Sequence, residues 1–151
     1  MNGTEREIRC TPTFKCRFPI FYCYMRILIT DEMSISSAFT AFNRSFLYSF
    51  SFVPTIITAR QLAAVTPPSH HITIQEGNNT IDFTAKYDVV HLNFKTALAK
   101  NAYEIADIFR KNGRIVVLSG YHPSAIPEEA KQHADSVIVG DAVTLWPGVV
   151  T

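Results

Sequence analysis

Short apolar runs alternate with amphipathic ones along most of this chain, and the alternation begins at Met25. "MRILIT" (25–30) reads as a first strand, rich in aliphatic and β-branched residues. The Ser- and Phe-rich segment 31–53 shows no clean period and reads as a loop with room for helical turns. Pro54 suits an early helical position, and "TIITARQLAAV" (55–65) puts Ile57, Leu62 and Val65 on a loose helical stripe before Pro67 and Pro68 stop it. "HITIQ" (71–75) predicts a second strand, "EGNN" a turn, and "YDVVHLNF" (87–94) a third strand. "TALAKNAYEIADIFRKNG" (96–113) predicts the clearest helix, capped by Thr96 and closed by Gly113. Its apolar face carries Leu98, Ala102, Ile105, Ala106 and Phe109. "RIVVLS" (114–119) predicts a fourth strand and "PEEAKQHA" (127–134) a helix led by Pro127, Glu128 and Glu129. "SVIVG" (136–140) predicts a fifth strand, and a last helical stretch runs through Trp146.

Strand runs that are apolar almost throughout, separated by helices, imply a sheet covered on both faces and therefore mostly parallel. Five such strands predict an α/β, flavodoxin-like, doubly wound sheet. Ligands of such sheets sit beyond the carboxyl ends of the strands, at the switch in strand order. Residues 1–24 have no periodicity and are expected to be a disordered extension, so the domain is placed at 25–151.

Composition narrows the partners. A formal charge of +1 with no basic stripe gives no case for nucleic acid. No run reaches the roughly 18–20 uninterrupted apolar residues of a membrane span; the nearest, 18–24 and 39–53, are broken by polar residues. Glu5, Glu7, Lys15 and Arg17 stand where a signal peptide would become apolar. Cys10, Cys16 and Cys23 fit no zinc spacing and read as reduced thiols of a cytoplasmic protein.

Three strand ends carry unusual punctuation: "NFKT" (93–96), "SGYHP" (119–123) and "GD" (140–141). Glycine there either makes a tight turn or lets a ligand approach the backbone, and both readings stand. His122, followed by proline and without a partner at a telling spacing, reads as a turn residue. His91 reads as a core residue, His70 and His71 flank a strand start, and His133 ends a helix. There is no dinucleotide fingerprint, phosphate loop or nucleophile elbow.

From Arg60 to Trp146 the sequence closely resembles the N-terminal cobalamin-binding domain of radical S-adenosylmethionine enzymes. "YDVVHLNFKTALAKNAYEIADIFRKNGRIVVLSGYHPSAIPEEAKQHADSVIVGD" carries the resemblance, most specifically in "AYEIAD" and "PEEAKQHADSV". The resemblance implies a flavodoxin-like domain that holds cobalamin, a metal-containing cofactor, over the carboxyl strand edge. It implies that Thr96 meets the buried nucleotide tail, with Asn93 where a serine is common. Ser119 and Gly120 match a Gly-Gly pair under the tail or corrin. Tyr121, His122 and Pro123 continue that loop, and Gly140 and Asp141 match a Gly-Glu pair. Ser119, Asp141 and Ala142 depart from the family's glycine, glutamate and glycine, and each is expected to add bulk or shorten reach at the pocket wall. Gly120→Leu is expected to abolish corrin retention while leaving the fold largely intact.

In the loop after strand one, Asp31 is present, but Met33 and Ser36 occupy the histidine and glycine places of the motif that supplies a lower cobalt ligand. No histidine ligand is expected from it. The Cys-x-x-x-Cys-x-x-Cys run of a radical domain is also absent, so no iron–sulfur cluster is expected in this chain. The chain reads as truncated before that domain, which would act in cis or in trans, and is not expected to be catalytic alone. The alternative is a degenerate flavodoxin-like domain with a structural or interaction role. A flavin- or nucleotide-binding domain is a weaker third reading.

Overall fold

The computed structural model describes residues 24–30, 54–75 and 81–151. The expected extension, the three cysteines, the 31–53 loop with Asp31, Met33 and Ser36, and the "EGNN" turn lie outside the described residues, apart from Tyr24.

Five strands form one sheet: β1 (Arg26–Thr30), β2 (His71–Gln75), β3 (Val89–Asn93), β4 (Ile115–Ser119) and β5 (Ser136–Val137). Their order is β2-β1-β3-β4-β5, and every pairing is parallel. This is the flavodoxin-like arrangement, with the direction of winding switching between β1 and β3. The sheet is wholly rather than mostly parallel.

Alternate strand residues feed two cores. Leu28, Val90, Leu92, Val116 and Leu118 pack with α2 (Ala99–Lys111) through Ala102, Ile105, Ala106 and Phe109. Ile27, Ile29, Val89 and Val117 pack on the other face against α1 (Pro54–Val65). Three short helices complete the carboxyl-terminal half: α3 (Tyr121–Ala125), α4 (Pro127–Ala130) and α5 (Ala142–Leu145), followed by α6 (Pro147–Val150). Trp146, between α5 and α6, is fully buried in the second core, and its Nε1 donates to Thr66 Oγ1 at 2.7 Å.

Several boundaries differ from the sequence pattern. A 3-10 turn, Thr96–Leu98, precedes α2, with Lys95 at its N-cap and no side-chain cap. Thr96 is therefore not the cap expected of it; its hydroxyl bonds elsewhere. Gly113 does close α2, with φ +73. Arg114 N–H donates to Phe109 O at 3.0 Å and Gly113 N–H to Arg110 O at 2.9 Å, the two bonds of a Schellman turn. The single turn α3 was not anticipated. Pro123 is tolerated there because it falls in the first turn, where its missing N–H costs no helical bond. Pro127 then keeps α3 and α4 apart, since Ile126 before it is driven to φ −133, ψ 68. β5 keeps only two of the five expected residues, as Val139 is already exposed and Gly140 turns away.

His70 ties the chain's end to the strand starts. Its Nδ1 accepts from Met25 N–H at 3.3 Å, which leaves Nε2–H to donate to Val150 O at 3.2 Å. Among the described residues no helix is long and apolar enough to cross a membrane.

Candidate binding site at the strand ends

A cleft of about 430 Å³ lies beyond the carboxyl ends of β3, β4 and β5, beside α1. Asn93 and Lys95 enter it after β3, and Gly120, Tyr121 and Ser124 after β4. Gly140, Asp141, Ala142 and Val143 follow β5, and Thr58 and Gln61 come from α1. The strands deliver these residues because a parallel sheet gathers all its carboxyl ends on one edge. Of the residues singled out from sequence, Asn93, Gly120, Tyr121, Gly140 and Asp141 meet in this cleft.

The two glycines have different reasons to be there. Gly140 has φ +97, a backbone state that side chains rarely adopt, yet a Cβ would meet nothing within 4 Å. Its N–H donates to Ser124 Oγ at 3.0 Å, joining the β5 loop to α3. Gly120 has φ +110 and is also pressed against the β3 exit. A Cβ there would stand 2.4 Å from Asn93 Oδ1, 2.5 Å from Phe94 O and 2.9 Å from Phe94 N. Gly120→Leu would therefore disturb the fold itself, contrary to the expectation that it would leave the fold intact. Asp141 caps α5, accepting from Val143 N–H at 3.2 Å and from the Thr144 hydroxyl.

Ser119 lies behind the cleft. It is 0% exposed, and its Oγ pairs with His91 Nε2 at 2.8 Å. Strand register explains the pairing: His91 stands opposite Val117, so Ser119, two residues on, shares its face. The expected bulk at the cleft wall goes instead into the core. His91 is also 0% exposed and meets Trp146 edge-on, ring centroids 5.1 Å apart. Burial pushes its imidazole down to about 3, so it stays neutral at ordinary pH. Among the described residues its Nδ1 has no hydrogen-bond partner.

Thr96, His122 and Pro123 form a separate group on the α2 side. His122 is 5% exposed, with Nδ1 3.3 Å from Thr96 Oγ1 and Nε2 3.4 Å from Glu129 Oε1. Its ring completes a trio with Phe94 and Tyr103, at 6.0 and 5.9 Å, those two being 5.6 Å apart. Burial pushes the Tyr103 phenol up to about 12, and the Glu129 charge adds to the effect. Among the described residues the phenol oxygen nevertheless has no hydrogen-bond partner of ordinary geometry. Tyr103 stacks on His133 at 4.2 Å, and His133 Nδ1 lies 3.1 Å from both Asp107 carboxylate oxygens.

Among the described residues, the charged side chains of the cleft are Lys95 and Asp141 and none of the five histidines lines it, a lining suited to recognition. Among the described residues no cluster of His, Cys, Asp or Glu could hold a bare metal ion. Backbone amides, Asn93, Gln61 and hydroxyls supply polar contacts, and Tyr121, 76% exposed, supplies an aromatic face. Sequence reasoning missed Thr58 and Gln61, whose one signal was an i, i+3 polar pair on a helix that otherwise reads as core. It also missed Ser124, Lys95 and Val143.

No family model matches the chain, and no solved structure matches it. Two curated relatives from Chlorobaculum tepidum do. Bacteriochlorophyllide d C-8(2)-methyltransferase is 47% identical over 87 residues, which cover 56% of this chain and 19% of that protein. Bacteriochlorophyllide d C-12(1)-methyltransferase is 43% identical over 65 residues, covering 43% of this chain and 14% of that protein. The matched part of this chain thus spans less than a fifth of either relative, and over that part the chain is similar to methyltransferases of bacteriochlorophyllide d.

Proposed function

We propose that residues 25–151 are a corrinoid-binding module of a cobalamin-dependent radical S-adenosylmethionine methyltransferase, acting in the cytoplasm with a radical domain in cis or in trans. The observation that carries this reading is the cleft at the carboxyl strand edge, floored by Gly120, Gly140 and Ala142 and edged by amides and hydroxyls. The similarity to two methyltransferases agrees with it.

The residues fit a corrinoid in kind, and the cleft fits a part of one in size. A corrin is a broad apolar ring edged with amide arms, and a cleft of about 430 Å³ suits one arm rather than the whole cofactor. Asn93, Gln61 and Ser124 can bond amide groups, and the exposed Tyr121 offers an aromatic face to a flat ring. Bound cobalamin would supply a methyl-carrying cobalt. Asn93, Gln61 and Ser124 of this chain would hold and orient it.

The test is direct. Purified protein mixed with hydroxocobalamin and desalted is expected to keep the corrin's visible absorbance. Well-folded protein that emerges colourless would overturn the proposal. One observation favours the alternative of a structural or interaction domain: the close approach of Phe94 explains Gly120 without any ligand.

A further inference from the structure

The β4 wall of the cleft stands on a single helical turn. α3 has five residues, too few to persist alone, and no side chain caps it. Its place is set by what its side chains grip. Tyr121 and Ser124 face the cleft, while His122 and Pro123 are buried on the opposite side.

We infer that Thr96 and His122 are a positioning pair for this cleft, holding its wall from behind rather than touching what it binds. The inference rests on the cleft being the binding site. Through Nδ1, His122 reaches the Thr96 hydroxyl at 3.3 Å in the loop after β3. Through Nε2 it reaches Glu129 on α4 at 3.4 Å. On the other side of the same turn, Ser124 Oγ accepts the Gly140 N–H at 3.0 Å in the loop after β5. α3 therefore bonds to both neighbouring strand-end loops, and all three loops line one cleft. The Thr96 hydroxyl can donate or accept and the Glu129 carboxylate accepts, so each ring nitrogen of His122 faces a group that can complete its hydrogen bond. This gives Thr96 and His122 a role that their position outside the cleft lining would otherwise leave open.

Thr96 is exposed, so it can be changed without opening the core. Thr96→Val keeps the shape and removes the hydroxyl, and Thr96→Ser keeps the hydroxyl. Three quantities are measured in each: amide hydrogen exchange at Ser124 and Ile126 in the ligand-free protein, the hydroxocobalamin Kd, and Tm. Those amides bond to Gly120 O and His122 O, so they report on α3. Thr96→Val is expected to speed their exchange about fivefold and to raise Kd by a similar factor, the loss of about one neutral hydrogen bond, with Tm falling by only a few degrees. Thr96→Ser is expected to restore both. Unchanged exchange in Thr96→Val, or no restoration by Thr96→Ser, would overturn the positioning role. If the parent protein binds no hydroxocobalamin, the exchange measurements still decide the matter. Faster exchange reversed by serine then supports the pair, and only the corrin reading falls.

Discussion

Acidification from pH 7 to pH 4 is expected to cost the fold about 3 kcal/mol through one side chain, His91. In the unfolded chain this histidine titrates near its ordinary value of 6.5; in the folded protein burial holds it down to about 3. The unfolded state therefore binds a proton that the folded state refuses. Stability from this group is full above about 6.5, falls with pH at about 1.36 kcal/mol per unit, and levels off near 3. The cause is geometric. The ring is fully buried, its Nε2 is taken by Ser119 Oγ, and among the described residues its Nδ1 has no acceptor that could stabilise a charge. The measurement is urea unfolding at a series of pH values, compared with the double variant His91→Leu/Ser119→Ala. Replacing both partners by apolar groups leaves neither an orphaned hydroxyl nor an orphaned ring. The parent is expected to lose about 3 kcal/mol more than the variant between pH 7 and 4. Parallel curves would mean that His91 is hydrated or protonated in the folded state.

Gly120→Ala is expected to destabilise the protein by about 3 kcal/mol or more, a large share of a typical domain's total. Two costs add. At φ 110 and ψ −170, Gly120 occupies a region that is essentially closed to side chains, at about 1–3 kcal/mol. The added methyl would also press on Phe94 backbone atoms at 2.5 and 2.9 Å, and forcing such overpacking costs about 1–3 kcal/mol more. Gly140→Ala is the control. Its φ of +97 carries backbone strain, but nothing lies within 4 Å of the new Cβ, so about 1–2 kcal/mol is expected. Chemical denaturation of both variants measures the difference. Equal losses would show that the contact with Phe94 relaxes freely.

The inner strands were legible because both sheet faces are covered, which leaves runs such as 115–118 uninterrupted by polar residues, and the edge strand β2 was legible by the alternation of His71, Thr73 and Gln75 with Ile72 and Ile74. α2 was legible because Leu98, Ala102, Ile105 and Phe109 repeat at helical spacing. α3 was not, since one turn containing Pro123 is too short to show any period. The strand ends with glycine marked the edge of the sheet where the cleft lies, and five of the nine residues singled out there line it. What the pattern could not convey is direction. Ser119 turns towards His91, 28 residues away, and His122 towards Thr96, 26 residues away. Both are cross-strand or cross-loop contacts set by register and packing, which leave no local trace. The contribution of α1 was hidden for the same reason, as Gln61 meets the cleft only once the helix has docked.

The central claim is that a corrinoid sits in this particular cleft, and filling the cleft tests it most directly. Gln61 is exposed on α1 and lines the cleft, so Gln61→Trp adds bulk without touching either core. Equilibrium dialysis against hydroxocobalamin is expected to show one bound corrinoid per parent chain and a Kd raised at least tenfold in Gln61→Trp, with unchanged Tm. Equal retention by both proteins, or none by the parent, would contradict the account.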